Sequence, residues 1–233
     1  MAFISSAIFA FMSSISIDRR AKPELKRVSI AYFFYDVYKI LMDKNAPHMI
    51  VAISGASGAA YGLRTLEALR ELGIYTHLIM SKTAAITLKL EMDMKPEDLV
   101  PLAGEVHPAG DMAACISSGS YQTMGMIIAP CSMRSVGEIA SGVTSSLLTR
   151  AADVVLKERR KLVMMVRETP LHSGHLENML KLSNMGAIIA PPVPAFYAKP
   201  ESLDDIVNHS VGRVLDLFDL DTGAVKRWKS DAK

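Results

Sequence analysis

Arg167 and Glu168 stand side by side between an apolar run and Pro170. A guanidinium is a planar fork matched to phosphate oxygens, and a carboxylate beside it can pass protons once its pKa is raised. A plain ion pair accounts for the two residues equally well. A second stretch with chemical character is Ser54-Gly55-Ala56-Ser57-Gly58, set between an apolar run and a helical pattern. Residues this small let a ligand approach the backbone. A helix opening there, with free N–H groups and a serine hydroxyl, favours an anion, so a phosphate is the expected guest. A tight turn with no ligand explains the segment, taken alone, about as well. The spacing G-x-x-G-x-x-x-G at Gly55, Gly58 and Gly62 is not the dinucleotide pattern. The next apolar run ends in Ser81 and Lys82, where a dinucleotide fold needs an acidic residue for the ribose, so a mononucleotide is expected.

Other candidates carry two readings each. Arg150 and Lys157, seven apart, share one helix face, which for a charged run is most simply a solvated face. Glu91 ends a helical stretch, as a catalytic carboxylate or a surface one. Tyr197, after Pro191, Pro192 and Pro194, caps a pocket or fills the core. His175 opens a helix, as a catalytic group or a packing one, and Trp228, the single tryptophan, fits a tail that docks for stability. Cys115 and Cys131 lack C-x-x-C spacing and histidines near them in sequence, so no metal site and no disulfide framework is expected, in keeping with a reducing compartment.

The elements that must position these residues follow an α/β rhythm from Met49 onward. Strands are expected over Ile50–Ile53, Ile74–Met80, Met126–Ala129, Leu162–Val166 and Ala187–Ala190. The first, β-branched without alternation, suits a central parallel strand buried on both faces. Helices are expected from Ala59 to a cap at Gly73, and over Thr83–Glu91, Val136–Ala140, Ser145–Arg160, His175–Met185 and Leu203–Leu217. Pro101 to Gln122 reads as a long irregular connection, a kind of loop that usually has a task. Ser57, Ser81, Ser132, Arg167 and Tyr197 each follow the C-terminal end of an expected strand, the edge where open parallel sheets hold ligands.

With 233 residues, 50% hydrophobic and 21% charged, the chain can bury one sizeable core. A net charge of +2 and no long basic run argue against nucleic acid and acidic membranes as partners. The 15 methionines are most simply core filler. Residues 1–48 read as an atypical extension ahead of a domain over 49–233: a dispensable segment, a targeting peptide or a helical packing arm. The apolar stretch over residues 1–17 is short for a membrane span and has no Lys or Arg before it. Arg19, Arg20, Lys22, Lys26 and Arg27 follow it, as a mitochondrial transit peptide would have, against Asp18 and Glu24.

From Met49 to about Trp228 the chain closely resembles the flavin prenyltransferases, the UbiX family, some of whose members carry the name of phenolic or phenylacrylic acid decarboxylases. The resemblance rests on GASGAAYGLR at 55–64, MSK at 80–82, APCSMRS at 129–135, RAADVVLKERR at 150–160, RETP at 167–170 and HLENMLKLSNMGA at 175–187. It implies a three-layer, flavodoxin-like (Rossmann-like) α/β sandwich with a mostly parallel sheet, assembled from trimers into homo-dodecamers. FMN would be held by Gly55, Ala56 and Ser57, by Ser81, by Ser132, Met133, Arg134 and Ser135, and by Arg167. Dimethylallyl monophosphate would be held by Lys157, Arg167, Tyr197 and Arg213, some reaching across from a neighbouring subunit.

The catalytic residues implied are Glu91, Glu168, Ser57 and Trp228, with no metal. The implied reaction joins the dimethylallyl group to reduced FMN, at the central-ring nitrogen and then the adjacent carbon, closing a fourth ring. A UbiD-type decarboxylase would use the product, and the location would be cytoplasmic, or mitochondrial if residues 1–48 target the chain. Asp111 and Met112 stand where some relatives carry an aromatic residue, so this part of the connection differs in detail. Three rival functions compete with this one. The first is an FMN-dependent cysteine decarboxylase of related fold, for which His107 is the nearest catalytic histidine, although PCSMRS stands where those enzymes carry a PASANT-like segment. A non-enzymatic flavin carrier would leave Lys157, Tyr197 and Arg213 without a common purpose. Direct decarboxylation of phenolic acids needs a site for a bulky aromatic acid that no residue set supplies.

Overall fold

The computed structural model describes residues 46–228. The extension read over residues 1–48 lies almost wholly outside them. Six strands, β1 (His48–Ile53), β2 (Tyr75–Met80), β3 (Glu105–His107), β4 (Gly125–Cys131), β5 (Lys161–Val166) and β6 (Ala187–Ile189), form one sheet in the order β3-β2-β1-β4-β5-β6. Every pairing is parallel. Between them run α1 (Ala59–Glu71), α2 (Lys82–Met92), α3 (Met133–Ala140), α4 (Leu147–Lys157) and α5 (Ser173–Asn184), and α6 (Leu203–Asp216) follows β6. This is the three-layer, flavodoxin-like (Rossmann-like) sandwich.

Strand alternation builds the layers. Ile50, Ala52, Met126, Ile128, Leu162 and Met164 face one core with Val136 of α3, Val155 of α4 and Leu182 of α5. Met49, Val51, Ile127, Val163 and Met165 face the other, with Leu66 and Leu69 of α1, Leu88 of α2 and Leu215 of α6. Both faces of the central strands are covered, which is why their sequences run apolar without alternation. Serine side chains cap α2, α3, α4 and α6, each accepting a first-turn backbone N–H. Gly73 follows α1 with φ +71°, the left-handed stop expected there.

The structure departs from the sequence reading at several places, and α3 begins at Met133, three residues before the expected Val136, because Ser132 caps it. The connection over Pro101–Gln122 is not wholly irregular: it holds β3 and the 3-10 turn Cys115–Ser117. A three-residue edge strand paired only with β2 is too short to leave a pattern. β4 continues through Pro130 to Cys131, with its register against β5 shifting between Ile128 and Cys131. A proline, having no N–H to give the ladder, reads as a strand end. α4 is shorter than Ser145–Arg160, because Ser146 caps it and the chain turns at Glu158. α5 begins at Ser173, so His175 lies in its first turn rather than opening it.

Candidate active site

Because all strands run the same way, the loops after β1, β2, β4, β5 and β6 leave one rim. At β1 and β4, neighbours whose following helices lie on opposite faces, the sheet has its topological switch point, where a crevice opens for ligands. Ser54, 2% exposed, joins the two loops there: its hydroxyl donates to the Pro130 carbonyl at 2.8 Å and accepts the Ser132 N–H at 2.7 Å. The pair of bonds holds Ser132 at the start of α3. Ser132 in turn accepts the Ser135 N–H, and its hydroxyl is 3.2 Å from that of Ser135. One side-chain cap satisfies one of a helix's four free donors, so the Met133 and Arg134 N–H groups remain for an anion at this rim. At the next loop Ser81 accepts the Ala84 N–H at 3.1 Å and caps α2. Gly55 lies against that helix so closely that an added Cβ would stand 2.3 Å from Thr83 Oγ1.

The N-terminus of α1 is arranged differently from the expectation that a phosphate occupies it. Gly58, at φ +105°, turns the chain into the helix. The carboxylate of Glu91, at the end of α2, accepts the Gly58 N–H at 2.9 Å and the Ala59 N–H at 2.9 Å. The chain's own carboxylate thus fills the anion position predicted for a ligand. Burial opposes the Glu91 charge, but hydrogen bonds from the Ser57 hydroxyl and the Ala59 and Gly58 N–H groups, with the charge of Arg167, hold its pKa below the ordinary carboxylate value. Glu91 is therefore an anion hydrogen-bonded to Ser57, not a surface bystander. Tyr61 belongs to the same group: burial raises its phenol and the Arg167 charge opposes that rise. Arg167 and Glu168 are exposed at the end of β5, where Glu168 accepts the Thr169 N–H at 3.0 Å.

Tyr197 and Arg213 meet past the C-terminal ends of β5 and β6, on the side of the rim next to α6. A cavity of about 330 Å³ between the proline-rich loop after β6 and helix α6 is lined by Pro192, Tyr197, His209, Arg213 and Met165 among others. That volume is at the small end of the range for small-molecule sites. The Tyr197 hydroxyl is 3.4 Å from His209 Nε2, and Trp228 stands edge-on to the Tyr197 ring with centroids 5.2 Å apart. Asp216 aims the cation, accepting Arg213 Nη1 at 2.6 Å and Arg227 Nη2 at 3.0 Å. Burial opposes the Asp216 charge, and the two guanidiniums overcome it and hold the carboxyl low.

The structure thus brings Ser57, Glu91 and Arg167 together at the rim, with Ser81 and Ser132–Ser135 on adjoining loops, and gathers Tyr197 and Arg213, with Trp228 against Tyr197, around the cavity past the ends of β5 and β6. It does not bring Lys157 to either group within one chain. Lys157 ends α4, ion-paired with Glu158, ahead of the first residue of β5, whereas Arg167 follows that strand's last. A six-residue strand, about 20 Å long, lies between them. Tyr61 and His209 are residues to which the sequence reading gave no role, and Ser54 was read only as one of the small residues of its turn. His209 was visible as the i, i+4 partner of Arg213 on one helix face, whereas the bonds of Ser54 needed the fold. His175, whose ring centroid is 3.5 Å from that of His172, does not join either group through any bond of its own among the described residues. His107, the histidine nominated for the decarboxylase rival, is 5% exposed and bonded to His77.

Comparison with known proteins agrees with this geometry. The Flavoprotein family model matches residues 39–215. The "Flavin prenyltransferase PAD1, mitochondrial" of Saccharomyces cerevisiae is 52% identical over 181 residues, covering 78% of this chain and 75% of the yeast protein. Among solved structures, AnUbiX (PadA1) in complex with FMN and dimethylallyl pyrophosphate superposes with a TM-score of 0.78 at 52% identity, covering 79% of this chain and 98% of that one. A dodecameric FMN-dependent Ubix-like decarboxylase from Escherichia coli O157:H7 superposes with a TM-score of 0.76 at 52% identity, covering 78% and 98%. With its sheet, its rim loops and this degree of identity, the chain belongs to the Flavoprotein family, among the flavin prenyltransferases of the UbiX type.

Proposed function

We propose that this protein is a flavin prenyltransferase that joins the dimethylallyl group of dimethylallyl monophosphate to reduced FMN. The observation that carries this reading is a cavity lined by Tyr197 and Arg213 at the same strand ends as the serine-capped helix N-termini. The rim of helix N-termini suits a mononucleotide, and the adjoining cavity with Arg213 and Tyr197 suits a second, smaller phosphate. A flavin carrier needs only the first. The same two ligand classes occupy the solved relative AnUbiX, which holds FMN and dimethylallyl pyrophosphate.

The chemistry of the rim suits FMN, because small residues and first-turn N–H groups at a helix N-terminus favour a phosphate. Gly55, Ala56, Ser57, Ser81, Ser132, Met133, Arg134, Ser135 and Arg167 would hold it. Reduced FMN, when bound, supplies the nucleophilic nitrogen and carbon that accept the prenyl group. Arg213 and Tyr197, with Arg167, bind the dimethylallyl phosphate, and their fixed charges stabilise the phosphate as it departs. Trp228, packed edge-on to Tyr197, offers a π-face to the allylic cation. Glu91 stays ionised and orients the Ser57 hydroxyl as a proton path, while Glu168 exchanges protons beside the leaving phosphate.

Lys157 stands at the far end of β5 from Arg167, so it serves the site of a neighbouring copy. We place the complete centre between subunits of a trimer-based homo-dodecamer, like the dodecameric relative. The product goes to a separate UbiD-type decarboxylase. Among the described residues no helix is long and apolar enough to cross a membrane. We assign the domain to residues 49–233 and a cytoplasmic location, or a mitochondrial one if residues 1–48 act as a transit peptide.

Anaerobic incubation with reduced FMN and dimethylallyl monophosphate, followed by mass spectrometry of the released flavin, tests the reading. One added prenyl unit, lost in Arg213→Ala, is the expected result. Flavin returned unmodified with both the mono- and the diphosphate overturns it.

A further inference from the structure

A second polar centre lies between β2, β3 and the connection that follows them, built from residues to which the proposed reaction gives no role. The ligand atoms of His77 on β2, Glu105 and His107 on β3, and Cys115 on the following 3-10 turn all fall within 4.8 Å of one another. We propose that these four residues bind one divalent transition-metal ion of the zinc class. The sequence argued against such a site because the cysteine has no histidine close to it in the chain. Parallel pairing of β2 with β3 places His77 opposite Glu105 and Ile79 opposite His107, and the connection then folds Cys115 back over both strands.

Two imidazoles, a carboxylate and a thiolate are the mixed N, O and S set that zinc accepts in tetrahedral geometry. His77, 0% exposed, is held from behind: its Nε2 is 2.9 Å from His48 Nδ1 and 3.1 Å from the Tyr121 hydroxyl. A ligating histidine characteristically has its second ring nitrogen hydrogen-bonded in this way, which fixes the tautomer and turns the other nitrogen inward. Here that inward atom is Nδ1, 2.9 Å from His107 Nε2.

Glu105 supplies the observation that a purely hydrogen-bonded cluster leaves unexplained. Its Oε2 faces both rings, at 3.7 Å from His77 Nδ1 and 4.0 Å from His107 Nε2, beyond hydrogen-bond reach of either. A cation among the donors would bind all of them. At zinc bond lengths, tetrahedral donors stand about 3.3 Å apart, so the two rings need to separate by only about 0.4 Å. An entry path exists, since the Glu105 side chain is 45% exposed. The centre lies four residues, about 13 Å of strand, before Ser81. The ion therefore pins the edge strand and the Cys115 turn to β2 and takes no part in prenyl transfer.

The test uses the full chain. Zinc is titrated in competition with a chromophoric chelator, and cobalt(II) is substituted to read the ligand set by absorption. One zinc per chain and a thiolate-to-cobalt charge-transfer band are expected. Cys115→Ser removes the band, and both Cys115→Ser and Glu105→Gln weaken zinc at least about 10–100-fold, the scale of losses from altering a metal's surroundings. These positions are partly exposed, and circular dichroism confirms that the variants fold, which a change at buried His77 would not guarantee. Substoichiometric zinc, or an affinity that survives either substitution in a folded variant, overturns the site.

Discussion

Replacing Glu91 by glutamine tests the reading of the rim most directly, because it keeps the side chain's size and removes only its charge. In the native chain the carboxylate accepts the Gly58 and Ala59 N–H groups and the Ser57 hydroxyl. A carboxylate at a helix N-terminus stabilises by about 0.3–1 kcal/mol when exposed, and a lost cap costs about 0.5–2 kcal/mol. Glu91 is exposed, so the solvent-screened lower half applies, and Glu91→Gln should cost about 1 kcal/mol at pH 7. For a domain of this size that is about 2–4 °C in Tm.

The sign of the pH dependence follows from the lowered pKa. The unfolded carboxyl takes up a proton before the folded one does, so the stabilisation is complete above the ordinary value of 4.5 and fades as pH falls through the folded value. Differential scanning calorimetry of both proteins at pH 7 and pH 3 should show a Tm gap at the first that narrows at the second. An equal gap at both pH values, or none at pH 7, would refute the claim that an ionised Glu91 holds the helix terminus. In single-turnover prenylation at pH 7, the same variant should lose about 10²-fold or more in rate, because the ionised carboxylate orients the Ser57 hydroxyl in the proton path.

Three further changes probe other parts of the molecule. Gly62→Ala would put a Cβ 2.5 Å from the Ala129 carbonyl and 2.7 Å from Ile53 Cδ1, so urea unfolding should show a loss of about 1–3 kcal/mol, and an unchanged midpoint would mean that α1 does not seat on β4 as closely as described. Asp216→Asn frees Arg213 from its ion pair and should raise KM for dimethylallyl monophosphate about 3–10-fold while kcat changes little; a fall in kcat alone would contradict a binding role. Lys157→Ala and Arg167→Ala, each inactive alone, should regain part of the activity when co-assembled, since some sites then draw both native residues from different copies. Failure of the mixed assemblies to regain activity would place Lys157 outside the neighbouring site.

The unbroken apolar runs along Met49–Ile53, Met126–Ile128 and Leu162–Met165 were enough to read a parallel α/β sheet from the chain, because central strands buried on both faces leave their mark in local composition. Ser57, Ser81, Ser132 and Arg167 were legible for the same reason: each follows such a strand, and parallel order sends all those ends to one rim. The motifs from Gly55 to Ala187 carried the family. What the sequence could not carry was anything decided by non-local approach. β3 is three residues long and owes its existence to β2. The anion at the α1 terminus comes from Glu91, 33 positions after Gly58, and only packing of α2 beside α1 delivers it. His77, His107 and Cys115 look unrelated along the chain and become neighbours through strand pairing and the return of one loop. Composition and periodicity determine which segments are strands and helices, since those depend on neighbours within a few residues. Which charges meet, and across which edge, is decided only when the segments pack.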